Sequence, residues 1–198
     1  MPTILYAPAS PYSAKVRMAA AIAGIPLDAS VVDTNADPDQ LVSANPLGKI
    51  PTLVLDDGSA VFDSRAITQY LNRQSGNRLF PRNPARRTRA ERLEALADGI
   101  ADSALAHVYE RRWRPGEKVH QPWLDRQWAK VVRALDHIEG DLPRLGKSPD
   151  AGQIALRAAL GYLALRFPGE WEKGHSRIRR WAERFDDRFP DLKNLLPG

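Results

Sequence analysis

The sequence predicts a chain in two parts. An α/β unit with a mixed four-stranded sheet in the order βαβαββα covers residues 1–79, and an all-α unit covers residues 86–198. Three observations carry this. Residues 45–71, NPLGKIPTLVLDDGSAVFDSRAITQYL, read as turn, strand, tight turn, strand and helix within one short stretch. Residues 80–85 hold Pro81, Asn83 and Pro84, which stop either kind of element from continuing. Beyond them every apolar pattern has helical spacing, so the structural class changes at that linker.

Each element follows from local chemistry. Thr3-Ile-Leu-Tyr6 is a short strand closed by Ala7-Pro8-Ala9. Ser10-Pro11 follow as N-cap and first helical residue, where the missing proline N–H costs nothing. That helix sets Val16, Ala19, Ala20 and Ala23 on one side and stops at Gly24, with Pro26 beyond. Residues 27–33 are a second strand centred on Val31-Val32, and a short helix is expected after Asp37-Pro38. Asn45-Pro46 and Leu47-Gly48 are breakers before a buried strand over residues 51–55. Asp56-Asp57-Gly58-Ser59 is a hairpin-type turn, and residues 60–62 pair back. Asp63-Ser64 then cap a helix whose apolar face holds Ala66, Ile67, Tyr70 and Leu71.

In the second part, apolar residues recur at Leu93, Leu96, Ala97, Ile100, Ala104 and Val108 in a helix over residues 86–112, which Pro115-Gly116 break. Residues 123–145 form another, with Leu124, Trp128, Val131, Val132, Leu135 and Ile138 inward. Asp150 and Gln153 make a capping box. The helix they open is almost wholly apolar over residues 154–167, which places it at the buried centre. Pro168-Gly169 end it, and an amphipathic helix over residues 176–189 carries Ile178, Trp181 and Phe185.

Composition narrows the chemistry. With 43% apolar and 27% charged residues the chain has the make-up of a globular protein. It has no cysteine, which removes disulfides, thiolate metal sites and any thiol nucleophile of its own. The start, Met-Pro-Thr-Ile-Leu-Tyr-Ala-Pro, lacks an export leader, and no run approaches the roughly 18 apolar residues of a membrane span. A cytoplasmic location is expected. The net charge of +5 rests on arginine, gathered at Arg82, Arg86, Arg87, Arg89 and Arg92 and again at Arg177, Arg179, Arg180 and Arg184. Such clusters suit nucleic acid or an acidic partner, but no aromatic residues interleave with the first, and a solvated helix face is the favoured reading. Nucleic acid is not an expected partner.

Four places carry candidate chemistry. Ile50-Pro51, after a turn and before a strand, is a candidate cis peptide that would leave the N–H and C=O of Ile50 free to pair with an extended peptide. A trans proline at the first residue of a strand fits equally well. Asp63-Ser64 is an N-cap, and a helix start with free N–H groups and a hydroxyl also binds anions; Asp63 can accept from an ammonium while Ser64 holds the adjacent carboxylate. Ser10 has no His or Asp near it in sequence, so a hydrolase triad is unsupported, yet its hydroxyl at a helix start can donate to a bound thiolate. The four histidines, His107, His120, His137 and His175, lack metal-ligand spacing.

Taken together these residues resemble the glutathione transferase superfamily, and within it the bacterial serine-type members. The likeness rests on Ser10-Pro-Tyr-Ser-Ala-Lys-Val-Arg17, Asn45-Pro-Leu-Gly-Lys-Ile-Pro-Thr-Leu53 and Asp63-Ser-Arg-Ala-Ile67. It continues through Leu93-Glu-Ala-Leu-Ala-Asp-Gly-Ile100, the Asp150 capping box and Trp181-Ala-Glu-Arg-Phe185. The resemblance implies a thioredoxin-like first domain and a helical second domain. It also implies a glutathione transferase that conjugates or reduces small hydrophobic electrophiles, with glutathione as co-substrate and no cofactor or metal. Glutathione would pair with Ile50 before cis-Pro51, place its γ-glutamyl group on Asp63 and Ser64, and offer its glycyl carboxylate to Lys49. Ser10 would donate to the sulfur. Tyr12, His107, Arg111 and Trp113 would line the electrophile pocket. The family is usually dimeric, with Asp98 or Asp102 reaching the partner subunit's glutathione. Tyr6 is the competing thiol activator, because many animal members use a tyrosine near that point. Asp63 is also shorter than the Glu or Gln of many members. A non-catalytic binding or assembly protein on the same fold is the alternative.

Overall fold

A computed structural model describes residues 1–198. The first part contains β1 (Thr3–Tyr6), α1 (Pro11–Ala23), β2 (Asp28–Val31), α2 (Asp39–Ala44), β3 (Thr52–Val54), β4 (Ala60–Val61) and α3 (Ser64–Gln74), in the predicted βαβαββα order. The sheet runs β2-β1-β3-β4: β1 is parallel to β2, and β3 is antiparallel to both β1 and β4. The α1 crossover is what allows β1 and β2 to be parallel neighbours. Ser10 caps α1 by accepting from Ser13 N at 3.2 Å, Pro11 begins it, and Gly24 ends it in the left-handed conformation at φ 71°. Ile4, Leu53, Ile67 and Leu71 are fully buried between sheet and helices, each worth about 2 kcal/mol as removed apolar surface.

The second part is helical: α4 (Pro84–Trp113), α5 (Gln121–Gly140), α6 (Ala151–Arg166), α7 (Ser176–Arg188) and the single turn α8 (Pro190–Lys193). Every residue of α6 from Ala151 to Leu163 is buried, and both bonds of the Asp150/Gln153 capping box form. One apolar core runs from Ile4 and Leu53 through Ile100 to Ile154 and Trp181, so the two parts share it. No helix is long and apolar enough to cross a membrane.

The structure corrects several expected boundaries. The strand expected over residues 27–33 is shorter, and β4 ends before Phe62. On α3 the inward residues are Ser64, Ile67, Thr68, Leu71 and Asn72, while Ala66 is exposed. Asn72 is turned inward because its Oδ1 accepts from the N–H groups of Leu79 and Phe80. Phe80, inside the expected linker, is buried in the core, and α4 begins at Pro84 with Asn83 as its cap. The helix expected to reach residue 145 stops at Gly140. Pro143 has no N–H to continue it, and its carbonyl accepts instead from the indole of Trp181 at 2.8 Å.

Candidate active site

Strand register gathers the candidate residues. β1 and β3 are antiparallel with Leu5 opposite Thr52, so the end of β1 lies beside the start of β3. β3 and β4 are antiparallel with Leu53 opposite Val61, so the end of β4 reaches the same edge. The loop to Ser10, the Ile50-Pro51 bond and the Asp63-Ser64 cap therefore emerge at one end of the sheet. These stretches are separated in sequence and adjacent in the fold.

Each has its own local support. The Ile50-Pro51 peptide is cis, as is Phe62-Asp63, and Ile50 makes no backbone hydrogen bond to the rest of the chain. The loop before it is built on Asn45, which is buried: its Nδ2 donates to Lys49 O at 2.8 Å and Thr52 Oγ1 at 3.3 Å, and its Oδ1 accepts from Leu47 N at 3.1 Å. Gly48 takes φ 60° inside this turn. Lys49 is exposed beside it. Asp63 caps α3, accepting from Arg65 N at 2.9 Å and Ala66 N at 3.4 Å through one carboxylate oxygen, and Ser64 is buried at the first helical position. Ser10 Oγ accepts from Ser13 N and donates to no protein group, while the loop before it is tied down by Gly198 N to Pro8 O at 3.4 Å. Tyr6, by contrast, has its ring under the Arg17 guanidinium, 4.7 Å from the ring centre and two turns along α1 from Ser10.

An ion network ties these elements to the helical part. Lys15, 1% exposed, donates to Glu94 Oε1 at 3.4 Å and to both oxygens of Asp98 at 2.9 Å, and Arg65 Nε adds a 3.2 Å bond to Asp98. Burial pushes the Glu94 carboxyl above its usual range, with the Lys15 charge opposing. Tyr12 donates to Asp102, and burial together with that bond pushes its phenol far above its ordinary value. Asp98 and Asp102, expected at a subunit boundary, thus meet partners within the chain. Sequence reasoning missed Lys15, although a lysine flanked by Ala14 and Val16 on an apolar helix face is a readable anomaly. Asn45, a breaker and the first residue of the resemblance motif in the sequence, has the further role of bracing the loop before Ile50, which the sequence does not show.

The four expected electrophile-pocket residues separate. His107 and Arg111 line a cavity of about 510 Å³ with Trp128, Phe167 and Glu170. His107 stacks edge-on against Phe167 at 5.1 Å, and burial, aided by the Arg111 charge, holds its imidazole below the usual value. Tyr12 and Trp113 do not line this cavity. Helix geometry explains the split: Trp113 falls within about 20° of Asp102 around α4, whereas His107 and Arg111 are turned about 140° and 180° away. Trp113, 62% exposed, thus shares the face that meets Tyr12.

The chain is similar to known proteins along its whole length. Residues 9–74 match the family model for the glutathione S-transferase N-terminal domain, and residues 121–184 match that for its C-terminal domain. A glutathione S-transferase from Methylobacillus flagellatus, solved with glutathione bound, superposes with a TM-score of 0.91 at 35% identity over all of both chains. A glutathione transferase family member from Pseudomonas fluorescens Pf-5, also with bound glutathione, gives 0.90 at 38% identity, again over all of both chains. The uncharacterized GST-like protein YibF of Escherichia coli is 38% identical over 136 residues, 67% of this chain and 66% of that protein. The chain belongs to the glutathione S-transferase family and is a glutathione transferase.

Proposed function

We propose that the chain joins the thiol sulfur of glutathione to small hydrophobic electrophiles, with Ser10 as the group that holds the thiolate. The observation that carries this is the convergence of Ser10, Ile50-Pro51 and Asp63-Ser64 at one end of the sheet. An extended tripeptide can pair through its cysteinyl backbone with the free N–H and C=O of Ile50. Its γ-glutamyl ammonium then meets the uncommitted oxygen of Asp63, and its α-carboxylate meets Ser64 and the start of α3. Lys49 receives the glycyl carboxylate. On this reading residues 1–79 carry glutathione and α4 supplies the wall of the second substrate.

Ser10 is preferred to Tyr6 because its hydroxyl proton has no protein acceptor and sits at a helix start, while the Tyr6 ring is packed under Arg17. The sulfur loses its proton to water, and the thiolate is held by the Ser10 O–H and the positive end of α1. Attack on an aryl halide forms the carbon–sulfur bond, and the carbon–halogen electron pair leaves with the halide. The electrophile takes the Tyr12, Asp102 and Trp113 face of α4, with His107 and Arg111 in a separate cavity. A cytoplasmic homodimer completes the reading, and light scattering after size exclusion tests the dimer.

The test is titration calorimetry with glutathione, then conjugation of an aromatic halide by wild type and Ser10→Ala. Binding at millimolar glutathione or below, with kcat/KM lowered about 100-fold in the variant, is expected. Absence of binding would overturn the reading. Binding with unchanged turnover would move the activating role away from Ser10.

A further inference from the structure

The second arginine cluster has no place in the thiol chemistry. Arg177, Arg180, Arg184 and Arg188 follow one another at three- and four-residue spacing on α7, and so share a face. With Arg144 they line a groove of about 810 Å³ between α7 and the extended segment after α5. Leu142, Pro143 and Leu145 make its apolar wall, and Trp181 is fixed behind them by its bond to the Pro143 carbonyl. Five arginines thus meet one carboxylate in the lining, Asp187. The neighbouring Arg179 is paired with Glu183 at 3.7 Å, and Arg177 is bonded to Glu139 O at 2.7 Å. Arg144, Arg180, Arg184 and Arg188 form no ion pair. A solvated helix face would show the alternating charges of Arg179 and Glu183; this groove concentrates one sign along a concavity.

We propose that this groove docks an extended acidic segment of a partner protein, its carboxylates on the arginine row and an aliphatic side chain on Leu142 and Leu145. The dimensions suit it: the twelve residues from Arg177 to Arg188, eleven steps of the helix, rise about 16 Å along α7, the length of about five residues of extended chain. Carboxylates meet guanidinium groups in bidentate fashion, which rewards arginine over lysine. Nucleic acid is the weaker fit. Stacking needs aromatic faces, and the one aromatic residue in the lining, Trp181, is 1% exposed.

The test uses the full-length protein and a fluorescein-labelled peptide of repeating Glu-Asp-Leu-Glu, followed by anisotropy. Saturable binding that weakens as salt rises, and falls about tenfold or more in Arg180→Glu/Arg184→Glu, is expected. The same double reversal at Arg86 and Arg89 is expected to leave affinity within about twofold, and glutathione conjugation is expected to be unchanged in both variants. Circular dichroism confirms that each variant is folded. Equal loss from both reversals would reduce the effect to net charge and overturn the proposal. So would absence of peptide binding, or tighter binding of a labelled single-stranded oligonucleotide through the same arginines.

Discussion

At Ser10 the hydroxyl oxygen already accepts from Ser13 N–H, so what it can still offer a ligand is its proton. Tyr12, two residues on, is the nearest rival hydroxyl, but its proton is committed to Asp102 and burial resists its ionisation. Tyr12→Phe is therefore expected to leave the pKa of the enzyme-bound thiol unmoved, as read from thiolate ultraviolet absorbance against pH. The same change is expected to lower stability by about 1 kcal/mol in urea, the usual worth of one lost hydrogen bond. Trp113→Ala is expected to raise KM for a hydrophobic halide several-fold while His107→Ala does not, because only the tryptophan shares the Tyr12 face of α4. Glu94 carries a pH signature. Its carboxyl is raised in the folded protein, so the folded state holds its proton more tightly than the unfolded chain does. Its contribution is thus most favourable below about pH 4.3 and is lost as pH rises through the folded value. Glu94→Gln is expected to flatten the stability–pH curve above that point, measured by urea midpoints across the range. Ser10, Ile50-Pro51 and Asp63-Ser64 were legible in the sequence because capping and X-Pro turns are local chemistry. The Lys15–Glu94 pair was not, because its partners are 79 residues apart and such pairing leaves no short-range pattern.

Between elements, the deciding contacts are α1 with α4 and α4 with α6. Lys15 bridges two carboxylates, one buried and one 15% exposed, and Arg65 reaches only the second. Lys15→Ala would leave like charges facing each other in a dry site and is expected to cost about 3 kcal/mol in chemical denaturation. At the second contact α6 approaches α4 without room for a methyl group: a Cβ at Gly152 would lie 2.5 Å from Ala90 O and 2.9 Å from Leu93 Cβ. Gly152→Ala is expected to destabilise by about 2 kcal/mol, since backbone must move. Gly161→Ala would meet Pro197 Cδ at 2.8 Å, in a stretch outside any helix, and is expected to cost less than half as much. Helix starts were readable in the sequence, as Ser10, Asp63 and Asp150 show. Helix ends were less so: the apolar residues Leu142 and Leu145 continue the helical spacing past Gly140, although Pro143 forbids the bonds.

Over the whole molecule, composition marks two parts but packing joins them. All five tryptophans follow residue 112, whereas β1 and β3 lie in the first part, and one core spans both. Tryptophan fluorescence and hydrogen exchange at the β1 and β3 amides are therefore expected to report the same unfolding transition. Separate transitions would mean that the halves unfold independently. The sequence marks the switch from mixed sheet to helix at the prolines, because prolines punctuate locally. It does not mark Phe80 as a core residue, because a buried side chain in a proline-rich connection becomes visible only once both halves are placed around it.

On the proposed reading, the antiparallel pairing of β1, β3 and β4 divides the sheet into a working end and an idle one. At the idle end the amino terminus meets Asp56 at 2.8 Å, and the Asp57-Gly58 turn stands exposed with open space around Gly58. The turn closes the β3–β4 hairpin through its own bonds, Leu55 N to Ser59 O and Gly58 N to Leu55 O, and none of them runs to Ser10, Ile50 or Asp63. A reporter peptide or fluorophore grafted there would ride on the protein without entering its chemistry, whereas an insertion of the same size at Gly48, on the opposite rim, would dismantle the Asn45 loop.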